Sequence, residues 1–115
     1  MGTVRIKRAY EDAEPDDGFR VLVDRLWPRG VSKDRAQLDE HLKDIAPSPE
    51  LRKWWDHDPD RFDEFTNRYR SELDDNPAVG DLRKLIHDHG VVTLVYGARD
   101  PEVNHAVVLE DYLAS

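Results

Sequence analysis

The run Val91-Val-Thr-Leu-Val-Tyr96 is apolar at every position but Thr93, rich in β-branched residues, and opened by Gly90. Six such residues have the length of a strand, not of a helix. A run apolar on consecutive positions, rather than alternating ones, suits a strand covered on both faces. That is the pattern of an interior strand in a parallel sheet, and the rest of the chain is read around it.

Behind this run, Asp100-Pro101 or Asn104 opens a last helix bearing Val108, Leu109 and Tyr112. Ahead of it, Leu82, Leu85 and Ile86 mark a helix that Gly90 closes. Before that, Asp58-Pro59 starts a helix whose stripe is Phe62, Phe65, Tyr69 and Leu73, ended at Asn76-Pro77. Ser48-Pro49 starts a shorter one carrying Leu51, Trp54 and Trp55. Ser32 caps another, with Leu38, Leu42 and Ile45 at helical spacing and Ala46-Pro47 as the stop.

Two more strands lie near the start. Val21-Leu-Val23 is a continuous apolar run broken at Trp27-Pro-Arg-Gly30, and Val4 to Tyr10 alternates apolar and basic, with Val4 and Ile6 inward and Arg5 and Lys7 outward. An acidic Pro/Gly loop, residues 11–18, joins them. It barely reaches the length a parallel crossover needs, so an antiparallel first pair stays open. The expected architecture is α/β: a small, mostly parallel three-stranded sheet flanked by about five helices, in one compact domain over residues 1–115.

Composition narrows the chemistry. The 115 residues contain no cysteine, which excludes disulfides, thiolate nucleophiles and cysteine zinc sites. The amino terminus has basic residues but no apolar run behind them, and no stretch approaches a membrane span, so a cytoplasmic protein without membrane contact is expected. The net charge of −8 argues against nucleic acid as the default partner. No P-loop, dinucleotide fingerprint, GxSxG elbow or HExxH occurs, and the five histidines are scattered, so neither a metal site nor a cofactor is expected.

Ligands of open parallel sheets bind beyond the carboxyl ends of the strands. Here those ends carry Arg8 and Tyr10; Arg25, Trp27 and Arg29, then Lys33; and Tyr96, Arg99, Asp100 and His105. Guanidinium groups grip carboxylate or phosphate oxygens through paired hydrogen bonds, and aromatic rings can wall such a site. Arg8, Arg25, Trp27, Arg29, Lys33, Tyr96 and Arg99 are therefore the candidate contacts for an anionic or phosphorylated small molecule. His105, oriented by Asp100, is the candidate acid or base if there is turnover.

Each candidate also has a plainer reading. Arg25 could pair with Asp24, Asp58 or Asp100. Trp27, Trp54, Trp55 and Tyr96 could be packing, and His57-Asp58 could end one helix and cap the next. His41 falls on an apolar stripe and reads as structural. Two other functions stand beside anion binding: a protein-interaction module using an exposed Trp54 or Trp55, and nucleic-acid binding along the basic rim.

Several stretches carry a family resemblance. Arg20-Val-Leu-Val-Asp-Arg-Leu-Trp-Pro-Arg-Gly-Val-Ser-Lys33 resembles the signature of the YeaO-like proteins, bacterial members of the DUF488 superfamily. So do Ile45-Ala-Pro-Ser48, Leu51-Arg-Lys-Trp54 with His57-Asp-Pro59, Arg68-Tyr69, Val92-Thr-Leu-Val-Tyr96 and Asn104-His-Ala106. The resemblance implies a compact α/β fold with parallel strands and supplies no activity. The broader family has Cys-Ala-Glu and Cys-His-Arg segments around the last strand. Tyr96-Gly-Ala98 and Asn104-His-Ala106 stand in the matching places, and only His105 persists.

Overall fold

In a computed structural model of the chain, described over residues 2–114, four parallel strands form one sheet. They are β1 (Thr3–Arg8), β2 (Phe19–Leu22), β3 (Glu40–His41) and β4 (Val91–Tyr96), in the order β1-β4-β2-β3. Five helices accompany them: α1 (Lys33–Ala36), α2 (Pro49–Trp55), α3 (Phe62–Asp74), α4 (Ala78–His89) and α5 (His105–Ala114). As its composition predicts, β4 is interior, paired with β1 on one side and β2 on the other. Its two faces serve two cores. Val92, Leu94 and Tyr96 join Val21, Val23, Phe65, Tyr69, Leu82 and Leu109 on the helical side, while Val95 meets Ala9, Leu22, Val31 and Ala36 on the other.

The sheet has four strands, not three, and the reason is local. The helix opened by Ser32 stops after one turn, where Gln37 adopts a left-handed conformation at φ 45°. The chain then runs beside β2: Asp39 N–H donates to Arg20 O at 2.9 Å and Leu42 N–H to Leu22 O at 3.0 Å. The spacing of Leu38, Leu42 and Ile45 imitated one continuous helix. In fact the segment pairs an edge that would otherwise expose its backbone groups.

The first crossover is parallel, and it spans a sheet position, because β1 and β2 flank β4 instead of pairing with each other. A ten-residue connection manages this by lying flat on the sheet. Thr93 Oγ1 donates to Asp17 O at 2.6 Å, and Gly18, at φ 65°, passes so close that a Cβ would stand 2.4 Å from Val91 O. The outward basic residues of β1 hold the acidic loop down: Arg5 donates to Asp16 O, and Lys7 reaches both Glu14 and Asp17. Charge alternation in the first twenty residues is thus the clamp on the crossover.

The capping residues behave as their chemistry predicts. Ser48 Oγ accepts from Leu51 N, Asp58 from Asp60 N, and Asn104 Oδ1 from Val107 N. Among the described residues no helix is long and apolar enough to cross a membrane.

Candidate functional site

Beyond the carboxyl ends of β2 and β4 lies a cavity of about 250 Å³. Its floor is set by Asp24. Val23 still pairs with β4, its N–H donating to Val95 O at 3.0 Å, and the chain then turns away. Asp24 Oδ2 accepts the Gly97 N–H at 2.8 Å, an approach that leaves no room for a side chain at 97, since a Cβ there would sit 2.9 Å from the same oxygen. His105, the first residue of α5, places Nε2 at 3.0 Å from Val23 O and 3.2 Å from Asp24 Oδ1. Both neighbours are acceptors, so Nε2 carries the hydrogen. His41 Nε2 lies 2.8 Å from Asp24 O and likewise donates.

The carboxylate beside His105 is therefore Asp24, 81 positions away in the chain, and not Asp100. Asp100 is occupied with its own turn: Oδ1 accepts the N–H groups of Glu102 and Val103 at 2.8 and 3.1 Å, which hold its carboxyl below the usual range. Closeness in sequence favoured Asp100, and local backbone amides claimed it first.

Arg25 lines the cavity, and among the described residues its side chain has no ion pair and no hydrogen bond; its Nε is buried. None of the three acids that could have neutralised it pairs with it. Asp24 gives Oδ2 to Gly97 N–H, while its buried Oδ1 has no hydrogen-bond partner and lies 3.2 Å from His105 Nε2; Asp58 caps the turn that precedes α3, and Asp100 is on its loop. Trp27 forms part of the rim, with Nε1 donating to Val31 O at 2.6 Å and 37% of its surface exposed; Leu26 beside it is 69% exposed. Trp55 makes the opposite wall, buried, its Nε1 donating to Asp58 O at 3.0 Å. Arg52 and His57 complete the lining from the α2 side.

Three of the proposed site residues, Arg25, Trp27 and His105, thus meet in this cavity. Arg99 and Asp100 line an adjoining recess that shares His57, Gly97 and Ala98 with it. The others do not reach it. Arg8 is a brace, Nε donating to Ala98 O at 2.9 Å with its guanidinium over the Tyr10 ring. Tyr96 is core, its phenol pushed up by burial and by the Glu11 carboxylate. Arg29 is exposed, holding Tyr10 through its carbonyl, and Lys33 is exposed at the start of α1; neither lines the cavity. Asp24, Arg52, Trp55 and His57 were missed. Asp24 could have been found, since it leaves β2 at the same point as Arg25. His57 reads in the sequence only as a helix end, Trp55 as packing or a docking residue, and Arg52 reaches the cavity through the packing of α2.

Trp54 and Trp55 are not the exposed pair that a docking surface needs. Trp55 is buried, and Trp54 lies under the guanidinium groups of Arg61 and Arg68, 5.4 and 4.2 Å from its ring centre. A larger groove, about 980 Å³, opens near the start of β1 between α4 and α5. Among the described residues it holds no buried polar atom without a partner. Its perturbed group is Glu110, whose carboxyl is pushed up by burial and by Asp111. No cluster of His, Asp or Glu among the described residues could hold a metal ion.

Comparison with known proteins gives the lineage. A family model described as the inactive DUF488-N3 subclade matches residues 3–115. The uncharacterised protein Rv3073c of Mycobacterium tuberculosis is 52% identical over 110 residues, covering 96% of this chain and 92% of that one. The uncharacterised protein YeaO of Escherichia coli is 42% identical over 112 residues, 97% of each chain. No solved structure matches. With the signature stretches and the parallel sheet they imply both in place, the chain is a YeaO-like member of the inactive DUF488-N3 subclade.

Proposed function

We propose that the protein binds a small anionic molecule in the cavity at the carboxyl ends of β2 and β4, with Arg25 as the anchoring cation. The observation that carries this reading is the half-buried Arg25 side chain without an internal partner. A desolvated guanidinium without an acceptor is costly, and a ligand oxygen is the simplest acceptor for it. Arg52 adds positive charge at the rim, and Trp27 and Trp55 supply walls. Binding without turnover fits best. The family is described as inactive, and the Nε2 hydrogen of His105 is spent on Val23 O, a use that fixes the floor.

The test is Arg25→Gln in a thermal-shift and calorimetric screen of small carboxylates and phosphates. Because Arg25 holds nothing within the protein, the free variant should keep its stability to within about 1 kcal/mol. Anion affinity should fall roughly 30-fold, the loss of about 2 kcal/mol of charge-assisted bonding. Unchanged affinity, or a variant that no longer folds, overturns the reading.

A second reading rests on Leu26 and Trp27, the exposed large apolar residues of the described chain. If they dock a partner protein, Leu26→Ser removes that partner while Arg25→Gln leaves it bound.

A further inference from the structure

Building on the anion-binding reading, we infer that the ligand is a carboxylate with a flat apolar body, not a phosphate ester. Three features of the cavity select it. The first is charge. The free guanidinium inside is Arg25, and it shares the space with the carboxylate of Asp24, whose Oδ2 is held by Gly97 N–H and whose Oδ1 lies 3.2 Å from His105 Nε2. One guanidinium matches one planar carboxylate through two parallel hydrogen bonds. A phosphate monoester brings close to two negative charges at neutral pH, and the second would face Asp24. Arg52, exposed on α2, offers that second charge a solvated partner only.

The second feature is the wall. Trp27, Pro28, Ala46, Pro47 and Trp55 present apolar surface around the charged end. Such surface is wasted on a bare inorganic ion, and it rewards a ring that can lie against indole. The third is size. About 250 Å³ falls just below the range of roughly 300–1,000 Å³ typical of drug-sized ligands, so one ring and one acid group fill it. His105 does not compete for the acid through Nε2, because that hydrogen is given to Val23 O.

The experiment uses three probes of one shape: benzoate, phenyl phosphate and benzamide, each titrated at pH 7.5 into the full chain and into Arg25→Gln. Benzoate should bind the native protein at least tenfold more tightly than either of the others, and Arg25→Gln should abolish that preference. Phenyl phosphate binding as well as benzoate, in an Arg25-dependent manner, would overturn the carboxylate inference and leave the anion site standing. Benzamide binding as well as benzoate, or no binding by any probe together with silence across the wider anion screen, would overturn both.

Discussion

Asp17→Asn is expected to remove about 3–5 kcal/mol of stability, a large share of the roughly 5–15 kcal/mol typical of a domain. Arg20 is only 3% exposed, and Asp17 is the one carboxylate paired with its guanidinium among the described residues, at 2.6 Å. The same carboxylate takes Lys7 at 3.2 Å and the N–H of Glu14 at 3.0 Å. With Asn in place, Arg20 keeps its Nε bond to Ala36 O, but its charge stays buried without an anion, while its Nη2 already lacks a partner. Desolvation of that charge, not the lost attraction as such, sets the size of the effect. Urea melts of native protein and Asp17→Asn measure it. The double variant Asp17→Leu, Arg20→Met should recover much of the loss by removing both charges together. A single-variant loss under about 1 kcal/mol would show that water reaches Arg20 and that the pair is ornamental.

The same cluster sets a pH window. Burial pushes the Asp17 carboxyl up, but the Glu14 amide, Lys7 and Arg20 outweigh it, so its folded pKa lies below the ordinary 3.8. A depressed carboxyl contributes stability that is complete above 3.8 and is lost as pH falls through the folded value. Burial lowers the Lys7 ammonium, yet the bonds to Glu14 and Asp17 win, and its folded pKa lies above 10.5. A raised amine contributes fully below 10.5 and is lost as pH rises through the folded value. Melting temperature across pH should therefore be flat between about 4 and 10 for this contribution and fall on both sides. Asp17→Asn should remove the acid limb that the cluster supplies.

How much of this was readable beforehand differs from element to element. β4, the caps at Ser48, Asp58 and Asn104, and the stripe of α3 are governed by neighbours within a few positions, and local pattern is enough for them. β3 was not legible, because Glu40-His41 has no strand character of its own and owes its conformation to the open edge of β2. The site divides in the same way. Strand-end logic located Arg25, Trp27 and His105, since their place follows from where β2 and β4 stop. It failed for Trp55 and Arg52, which reach the cavity only through the packing of α2; Asp24 was within its reach as a position, but not its tie to Gly97, which spans 73 positions. The strand-end arginines looked alike as letters. Arg8 has a backbone acceptor and Arg25 has no internal partner, a distinction that exists only in three dimensions.

That dependence of the cavity on helix packing gives the second large effect: Phe65→Ala should cost about 3–5 kcal/mol and weaken ligand binding as well. Phe65 is fully buried in the first turn of α3 and stacks on Trp55 with ring centres 4.0 Å apart and planes at 21°. Phe62 and Tyr69 flank it one turn away on either side, at 6.1 and 5.7 Å. Truncation removes the transfer free energy of a benzyl group, leaves a void that the anchored neighbours cannot close, and forfeits the aromatic contact itself. The neighbours are anchored because Tyr69 donates its hydroxyl to Ile45 O at 2.6 Å and Trp55 donates to Asp58 O. Those bonds keep α2 and α3 in place, so the variant should still fold, with a lower urea midpoint and an unchanged slope. Trp55, backed by a void, then becomes a mobile wall, and anion affinity should drop even though Phe65 touches no ligand. Phe65→Leu keeps most of the apolar bulk and should lose less than half as much on both measures. If Phe65→Ala falls by the expected amount in urea and yet binds as tightly as the native protein, Trp55 is not a wall of the site. If it loses under about 1.5 kcal/mol, α2 and α3 can close over the void, and the aromatic stack is not what positions them.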